Sequence, residues 1–223
     1  MTWRKHVPIP AAALLLLGFA AQGMLPCGVS FMPILFYSGF DQGNTEGFIP
    51  YPMDAWGPGN NDSAYEVQDV GCDLWAMSWM STGFQWSDYI LSASMQFKEG
   101  TCNNLGLIFR FQNPDNYYRF FLSDGTTATL ECVQGGVVTR SESAPYAYGP
   151  DYWHVLRVEL EGSSCVAVVN TETVLTWDDA TFLTGTGGVT AKGTRAWFDN
   201  TISLIANNPP LAQGPEHGDS LNP

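Results

Sequence analysis

The sequence predicts an all-β protein, a two-sheet antiparallel sandwich. Three observations lead to this prediction. Short segments of alternating apolar and polar residues recur between residues 89 and 205, and turn-forming residues separate them. Glycine and proline are frequent, at 23 and 14 residues, and aromatic residues make up 13% of the chain. A length of 223 residues suits a single domain of this class.

The strands are placed by alternation and by the turns between them. Asn113-Pro114-Asp115-Asn116 is a turn sequence, and Gly135-Gly136 predicts a hairpin. Leu74–Trp86 is either a core strand or an exposed apolar patch. The predicted strands are Tyr89–Phe97, Leu105–Phe111, Tyr117–Leu122, Thr126–Val133, Val137–Ser141, Trp153–Leu160, Cys165–Val169, Gly187–Ala191 and Arg195–Ile205. The predicted core includes Leu107, Phe109, Leu156, Val158 and Val168.

The first 36 residues predict a membrane anchor or an uncleaved signal segment. No charged residue lies between His6 and Phe40, and Ile9–Pro26 is nearly long enough for a bilayer-spanning helix. Arg4 and Lys5 place the N-terminus in the cytoplasm, so the β domain of residues 37–205 is expected outside the inner membrane, with residues 8–36 in the lipid bilayer. A cleaved signal peptide is the alternative. Residues 206–223 predict a disordered polar tail.

The cysteines agree with export. Their long, uneven spacing is unlike that of zinc ligands, so disulfides are expected among Cys72, Cys102, Cys132 and Cys165. Cys132 and Cys165 each lie inside a predicted strand, which favours a cross-strand or cross-sheet bridge between them and leaves Cys72 with Cys102. Buried free thiols are the alternative. Cys27 is left over near the predicted anchor.

Charge and motif content exclude two function classes. The net charge of −13 argues against nucleic acid as a partner, because a polyanion would be repelled. No G-x-S-x-G motif is present, and the three histidines lie far apart in the sequence. Glu159 and Glu161 share a strand face with Arg157, which is typical of a solvated surface. We therefore expect a protein that is not an enzyme and requires no cofactor.

Aromatic residues at loops and strand ends are the candidate contacts to a ligand or partner. Flat rings at such positions can stack on sugars or on protein surfaces. The candidates are Trp56, Trp75, Trp79, Tyr146, Tyr148 and Tyr152.

The central motif resembles bacterial laminin-G-like, concanavalin-like jelly-roll domains. Gln85–Tyr89 and Gly106–Phe120 are similar to that family's W-x-D-Y and G-L-V-F-R-Y-x-D-P-x-N-Y-Y-x-F patterns, and Trp153–Glu159 and Trp197–Asn200 are similar to two later strands. Phe40-Asp41 is similar to the opening strand. The resemblance implies a jelly-roll sandwich, here preceded by one N-terminal transmembrane helix. It also implies that Trp86 and Trp153 fill the core.

The resemblance implies one metal site. In the family, the first and last strands meet where carboxylates and carbonyl oxygens can hold a structural calcium. Asp41 and Asp199 are the corresponding residues here. Asn200 replaces a second aspartate of the family pattern and removes one negative ligand.

Two functional hypotheses follow. The first is a non-catalytic, membrane-anchored accessory subunit whose partners are the other subunits of a larger membrane protein complex, since the apolar N-terminus is retained in this interpretation. The second is a carbohydrate-binding or adhesion module of the cell envelope with a glycan as its partner, which rests on the resemblance alone.

Overall fold

The computed structural model describes residues 34–59, 63–149 and 152–205, apart from the side chains of residues 101 and 202–205. Two three-residue 3-10 helices, Asp41–Gly43 and Met53–Ala55, lie among thirteen strands. The strands are β1 (Ile34–Ser38), β2 (Phe48–Tyr51), β3 (Trp56–Gly59), β4 (Ala64–Val67), β5 (Ala76–Met80), β6 (Tyr89–Asn113), β7 (Asn116–Ser123), β8 (Thr127–Gln134), β9 (Val137–Pro145), β10 (His154–Glu161), β11 (Ser164–Val169), β12 (Glu172–Asp178) and β13 (Thr186–Ile205).

Strand order divides the fold into two antiparallel sheets. Sheet one contains β12, β11, β10, the first half of β6, the second half of β13, and then β1, β4 and β3. Sheet two contains β9, β8, β7, the second half of β6, the first half of β13, β5 and β2. The sequence prediction of an all-β jelly-roll sandwich is confirmed.

Two long strands join the sheets. The sequence predicted four separate strands in their place, but β6 and β13 stay hydrogen bonded to each other from Thr186 opposite Phe111 to Ile205 opposite Tyr89. Register shifts interrupt this pairing, one of them between Lys192 and Thr194. Such irregularities bend a strand without ending it, which is why one hydrogen-bonded network contains all thirteen strands.

The main core lies between the two sheets. Every second residue of a strand points into this core, for example Tyr118, Phe120 and Leu122 of β7. The five predicted core residues are all buried, with exposures of 2% or less: Leu107, Phe109, Leu156, Val158 and Val168. Trp86 is half-buried and packs against this core. The expectation for Trp153 is wrong, since 41% of its surface is exposed just before β10 begins.

The start of the chain differs in part from the prediction. Ile34, Leu35 and Phe36, expected in the anchor, begin β1, and Ile34 and Phe36 pair with the end of β13 on either side of a register shift. The predicted transmembrane helix falls on residues 1–33 and the predicted tail on residues 206–223, both outside the described residues. Within the described ranges, no helix is long and apolar enough to cross a bilayer.

One disulfide joins Cys72 to Cys102, whose Cα atoms are 5.8 Å apart. The predicted second bridge is wrong, because Cys132 and Cys165 are free and buried. Cys132 belongs to β8 in sheet two and Cys165 to β11 in sheet one, and both belong to the main core. A buried cysteine there behaves as a small apolar side chain. Cys27 lies outside the described residues.

Candidate functional site

Sheet two is apolar on both faces. In β7 the even-numbered residues from Tyr118 enter the main core, whereas Tyr117 lies in a second cluster on the opposite face. Strands β5, β6 and β8 supply the rest of this second cluster, namely Met77, Ile108, Phe111 and Val133, and Trp75 and Trp79 pack against it. We call this surface the outer face. A sheet face turned away from the main core is usually polar. Here five apolar residues on that face are buried, at 4% exposure or less, which makes the outer face a candidate site.

Ring contacts organise the outer face. The ring centroids of Trp79 and Phe111 are 4.5 Å apart in a stacked arrangement. Trp75 meets Phe121 edge to face at 4.9 Å. Rings held in this way lose little conformational freedom when a ligand binds, since their positions are already fixed.

A pocket of about 300 Å³ opens on the outer face. This volume is at the small end of the range for ligand sites, roughly 300–1,000 Å³. Apolar, aromatic and polar side chains all contribute to it, which is typical of pockets for polar organic ligands. Its lining comprises Tyr51, Asp73, Leu74, Trp75, Met77, Pro114, Asp115, Tyr117, Arg119, Val133, Gly136 and Val138.

Arg119 connects the polar and aromatic parts of the pocket. Its Nε donates to Glu131 Oε2 at 2.6 Å, and its Nη2 lies 2.5 Å from the same oxygen. Its guanidinium lies 4.0 Å from the ring centroid of Trp75, a cation–π contact. Nη1 donates to the Tyr117 hydroxyl at 3.4 Å. Burial raises the pKa of Tyr117, so its hydroxyl keeps its proton at alkaline pH values where an exposed tyrosine would lose it.

Two of the six aromatic residues predicted from sequence lie on the outer face. Trp75 lines the pocket, and Trp79 lies beside it. The other four lie elsewhere. Trp56 packs on Tyr65 with ring centroids 4.9 Å apart, and Tyr146 packs on the main core. Tyr148 stacks on Phe97 at 5.2 Å, whereas Tyr152 is 71% exposed and outside the pocket.

Sequence reasoning missed most of the pocket. Tyr51, Asp73, Asp115, Tyr117 and Arg119 come from β2, from the segment before β5, and from the turn and strand of β7. A signal was present in Tyr-Tyr-Arg-Phe-Phe, where aromatic residues occupy both faces of one strand. Such a strand has no purely solvent-facing side.

The predicted calcium residues lie at another place, near the start and end of the domain. Burial and the nearby negative charge of Asp41 raise the pKa of Asp199. Asn200 donates to both carboxylate oxygens of Asp199, from its backbone N at 2.7 Å and from Nδ2 at 2.9 Å. The described residues contain no group of three or more carboxylate, histidine or cysteine ligands. Calcium binding there would need backbone carbonyls as well, and it stays a prediction.

Solved structures share this fold. A carbohydrate-binding module, CBM66 from Bacillus subtilis, matches with a TM-score of 0.63 and 16% identity over 74% of this chain and 99% of that one. A Bacillus subtilis protein of unknown function with a galectin-like fold matches with a TM-score of 0.59 and 12% identity over 78% and 98%. The GH43 protein BlXynB from Bacillus licheniformis matches with a TM-score of 0.59 and 11% identity over 76% of this chain and 39% of its own. No curated protein sequence matches.

A family model extends the match beyond the fold. The model of the 3-keto-alpha-glucoside-1,2-lyase-like domain covers residues 40–202, which contain the pocket and both sheets apart from β1 and the last residues of β13. This family and the carbohydrate-related structures overturn our hypothesis of an accessory subunit of a membrane complex, and they favour the carbohydrate-binding alternative. The sequence motif was specific enough for the fold, whereas the membrane hypothesis rested on the apolar N-terminal segment as far as Tyr37 and on the aromatic surface residues. The chain belongs to the 3-keto-alpha-glucoside-1,2-lyase-like domain family.

Proposed function

We propose that this domain binds carbohydrate in the pocket on the outer face of sheet two. The observation that carries the proposal is the composition of the pocket lining: the rings of Tyr51, Trp75 and Tyr117 together with the carboxylates of Asp73 and Asp115. Sugars combine apolar C–H faces with rings of hydroxyl groups. Aromatic rings stack on the C–H faces, and carboxylates accept hydrogen bonds from the hydroxyl groups.

Three further observations support the proposal. The pocket belongs to the sheets that the family model covers. A carbohydrate-binding module has the same fold over almost its whole length. The Cys72–Cys102 disulfide favours a domain that works outside the cytoplasm, where glycans of the cell envelope are available.

Two exposed tyrosines provide a matched test. Tyr51 lines the pocket and is 46% exposed, whereas Tyr152 is 71% exposed and lies outside it. Tyr51→Ala is expected to weaken glycan binding at least tenfold, and Tyr152→Ala to leave it unchanged. Binding to a glycan array, followed by calorimetry on the best ligand, measures this. Equal loss in both variants, or no loss in either at unchanged Tm, would place the site elsewhere.

The family match favours a second candidate, elimination on a 3-keto-glucoside. In such a reaction a base removes the proton at C2, the bond from C1 to the leaving oxygen breaks, and a C1–C2 double bond forms. Asp73 and Asp115 are the carboxylates of the pocket lining that could act as the base. Incubating the protein with a 3-keto-glucoside and following release of the leaving group distinguishes this activity from binding alone. The sequence predicts that no leaving group is released in this experiment, since it predicts a protein that is not an enzyme.

A further inference from the structure

The pocket has a guanidinium that is already engaged. Arg119 donates through Nε and Nη2 to Glu131, donates through Nη1 to Tyr117, and stacks on Trp75. Its side chain is only 8% exposed. A ligand carboxylate or sulfate could form a bidentate contact with this arginine only by displacing Glu131. Breaking a largely buried ion pair carries a penalty that a solvated anion does not recover.

The carboxylates of the pocket have no such partner. Asp73 and Asp115 are both exposed, and no ion pair among the described residues involves either of them. Lys192 lies 5.8 Å from the Trp75 ring centroid and outside the lining. Two positive charges, on Arg119 and Lys192, are therefore outnumbered by three carboxylates, those of Asp73, Asp115 and Glu131. The region around the pocket has excess negative charge, as does the whole chain at −13.

We infer that the pocket selects uncharged glycans and rejects acidic ones, those that carry uronate or sulfate groups. This inference rests on the proposed function. Hydroxyl groups of a neutral sugar can donate to Asp73 and Asp115 in charge-assisted hydrogen bonds. A uronate at the same place offers an acceptor in place of a donor and adds a like charge within a few ångströms. Selectivity therefore comes from repulsion at the rim of the pocket and from the commitment of Arg119 to Glu131.

Three probes that share one disaccharide framework and differ only at C6 of the non-reducing sugar test the inference. They are a glucose disaccharide, the analogue with glucuronate at its non-reducing end, and the methyl ester of that analogue, which restores neutrality while keeping the added carbonyl. The disaccharide and the ester are expected to bind, and the free acid at least tenfold more weakly at low salt. The difference in affinity between the free acid and the two neutral probes should narrow at 0.5 M salt, because ions screen the repulsion.

Variants assign the effect to the pocket. Asp73→Asn with Asp115→Asn should reduce the gap between free acid and ester to within about threefold, about the residual left once like-charge repulsion is removed. Glu172→Gln removes an exposed carboxylate at the start of β12 in sheet one and should leave the gap unchanged. Equal or tighter binding of the free acid to the unmodified protein would overturn the inference while leaving glycan binding intact. Binding of none of the three probes, or of any glycan on an array, would contradict the proposed function itself.

Discussion

Arg119 of β7 and Trp75, which directly precedes β5, are in cation–π contact although β6 and β13 lie between those two strands in sheet two; the guanidinium lies 4.0 Å from the ring centroid. Glu131 fixes this arrangement, because its carboxylate holds Arg119 from the neighbouring strand β8. The pocket is therefore built on a side-chain network that is in place before any ligand arrives, which lowers the entropic cost of binding.

Removing one member of this ion pair should destabilise the domain. Glu131→Ala leaves the guanidinium of Arg119 largely buried without its counter-charge, and we expect the free energy of unfolding to fall by about 2–3 kcal/mol, since Glu131 is 14% exposed and water partly compensates. The double variant Arg119→Met, Glu131→Leu should lose less than Glu131→Ala alone. Urea denaturation of the three proteins measures this. A double variant less stable than Glu131→Ala would contradict the argument.

The disulfide should make a measurable contribution to stability. Cys72 and Cys102 are 30 residues apart. Closing a loop of this length lowers the conformational entropy of the unfolded chain, which stabilises the folded state by about 3–4 kcal/mol. Replacing both cysteines with serine should lower the free energy of unfolding by this amount. Dithiothreitol should lower the stability of the unmodified protein and leave that of the double variant unchanged. A reductant effect of equal size in both would show that this bridge is not responsible.

The two free thiols of the core should be unreactive in the folded protein. Burial raises the pKa of Cys165 to about 12. Burial also raises the pKa of Cys132. At pH 8 the thiolate, which is the reactive form, is then about one ten-thousandth of Cys165, against roughly a quarter for an exposed cysteine. Alkylation mapped by mass spectrometry should label neither residue until urea unfolds the chain. Fast labelling of Cys165 in the native protein would contradict its burial.

Asp199 should make stability depend on pH in an unusual direction. Burial and the charge of Asp41 raise its pKa in the folded state, so the folded protein binds this proton more tightly than the unfolded chain does. Stability from this group is therefore present below the unfolded value of about 4 and is lost as pH rises through the raised folded value. Asp199→Asn should raise Tm at pH 7, and the gain should vanish below about pH 4. Asp124→Asn, at an exposed turn, is the control and should show no such gain.

Calcium provides a separate test of the same carboxylates. Burial and the charge of Asp41 raise the pKa of Asp199, and a cation held by both carboxylates would remove the second of these causes. If the site binds, calcium at a hundredfold excess over its Kd should stabilise the unmodified protein by about 2.7 kcal/mol. Asp199→Asn should respond much less. A Tm that calcium leaves unchanged in the unmodified protein would contradict the prediction.

The sequence by itself determined the class of fold and much of the core. Alternation in segments such as Trp153–Leu160 records which side of a strand faces the interior, and Leu156 and Val158 are buried as that pattern requires. The spacing of turn residues likewise placed the β7–β8–β9 meander. These are local properties, since a period of two and a turn need only neighbouring residues.

Only the tertiary structure decided where the candidate pocket lies. Tyr51 and Arg119 are 68 positions apart along the chain. They line one pocket because sheet two arranges β2, β5, β13, β6 and β7 in that order, and side chains from both ends of this run lie on the same outer face. The same applies to the cysteines: Cys132 and Cys165 lie in strands of different sheets and stay free, a result that depends on strand order. Strand order is set by packing over the whole domain, and no local pattern encodes it.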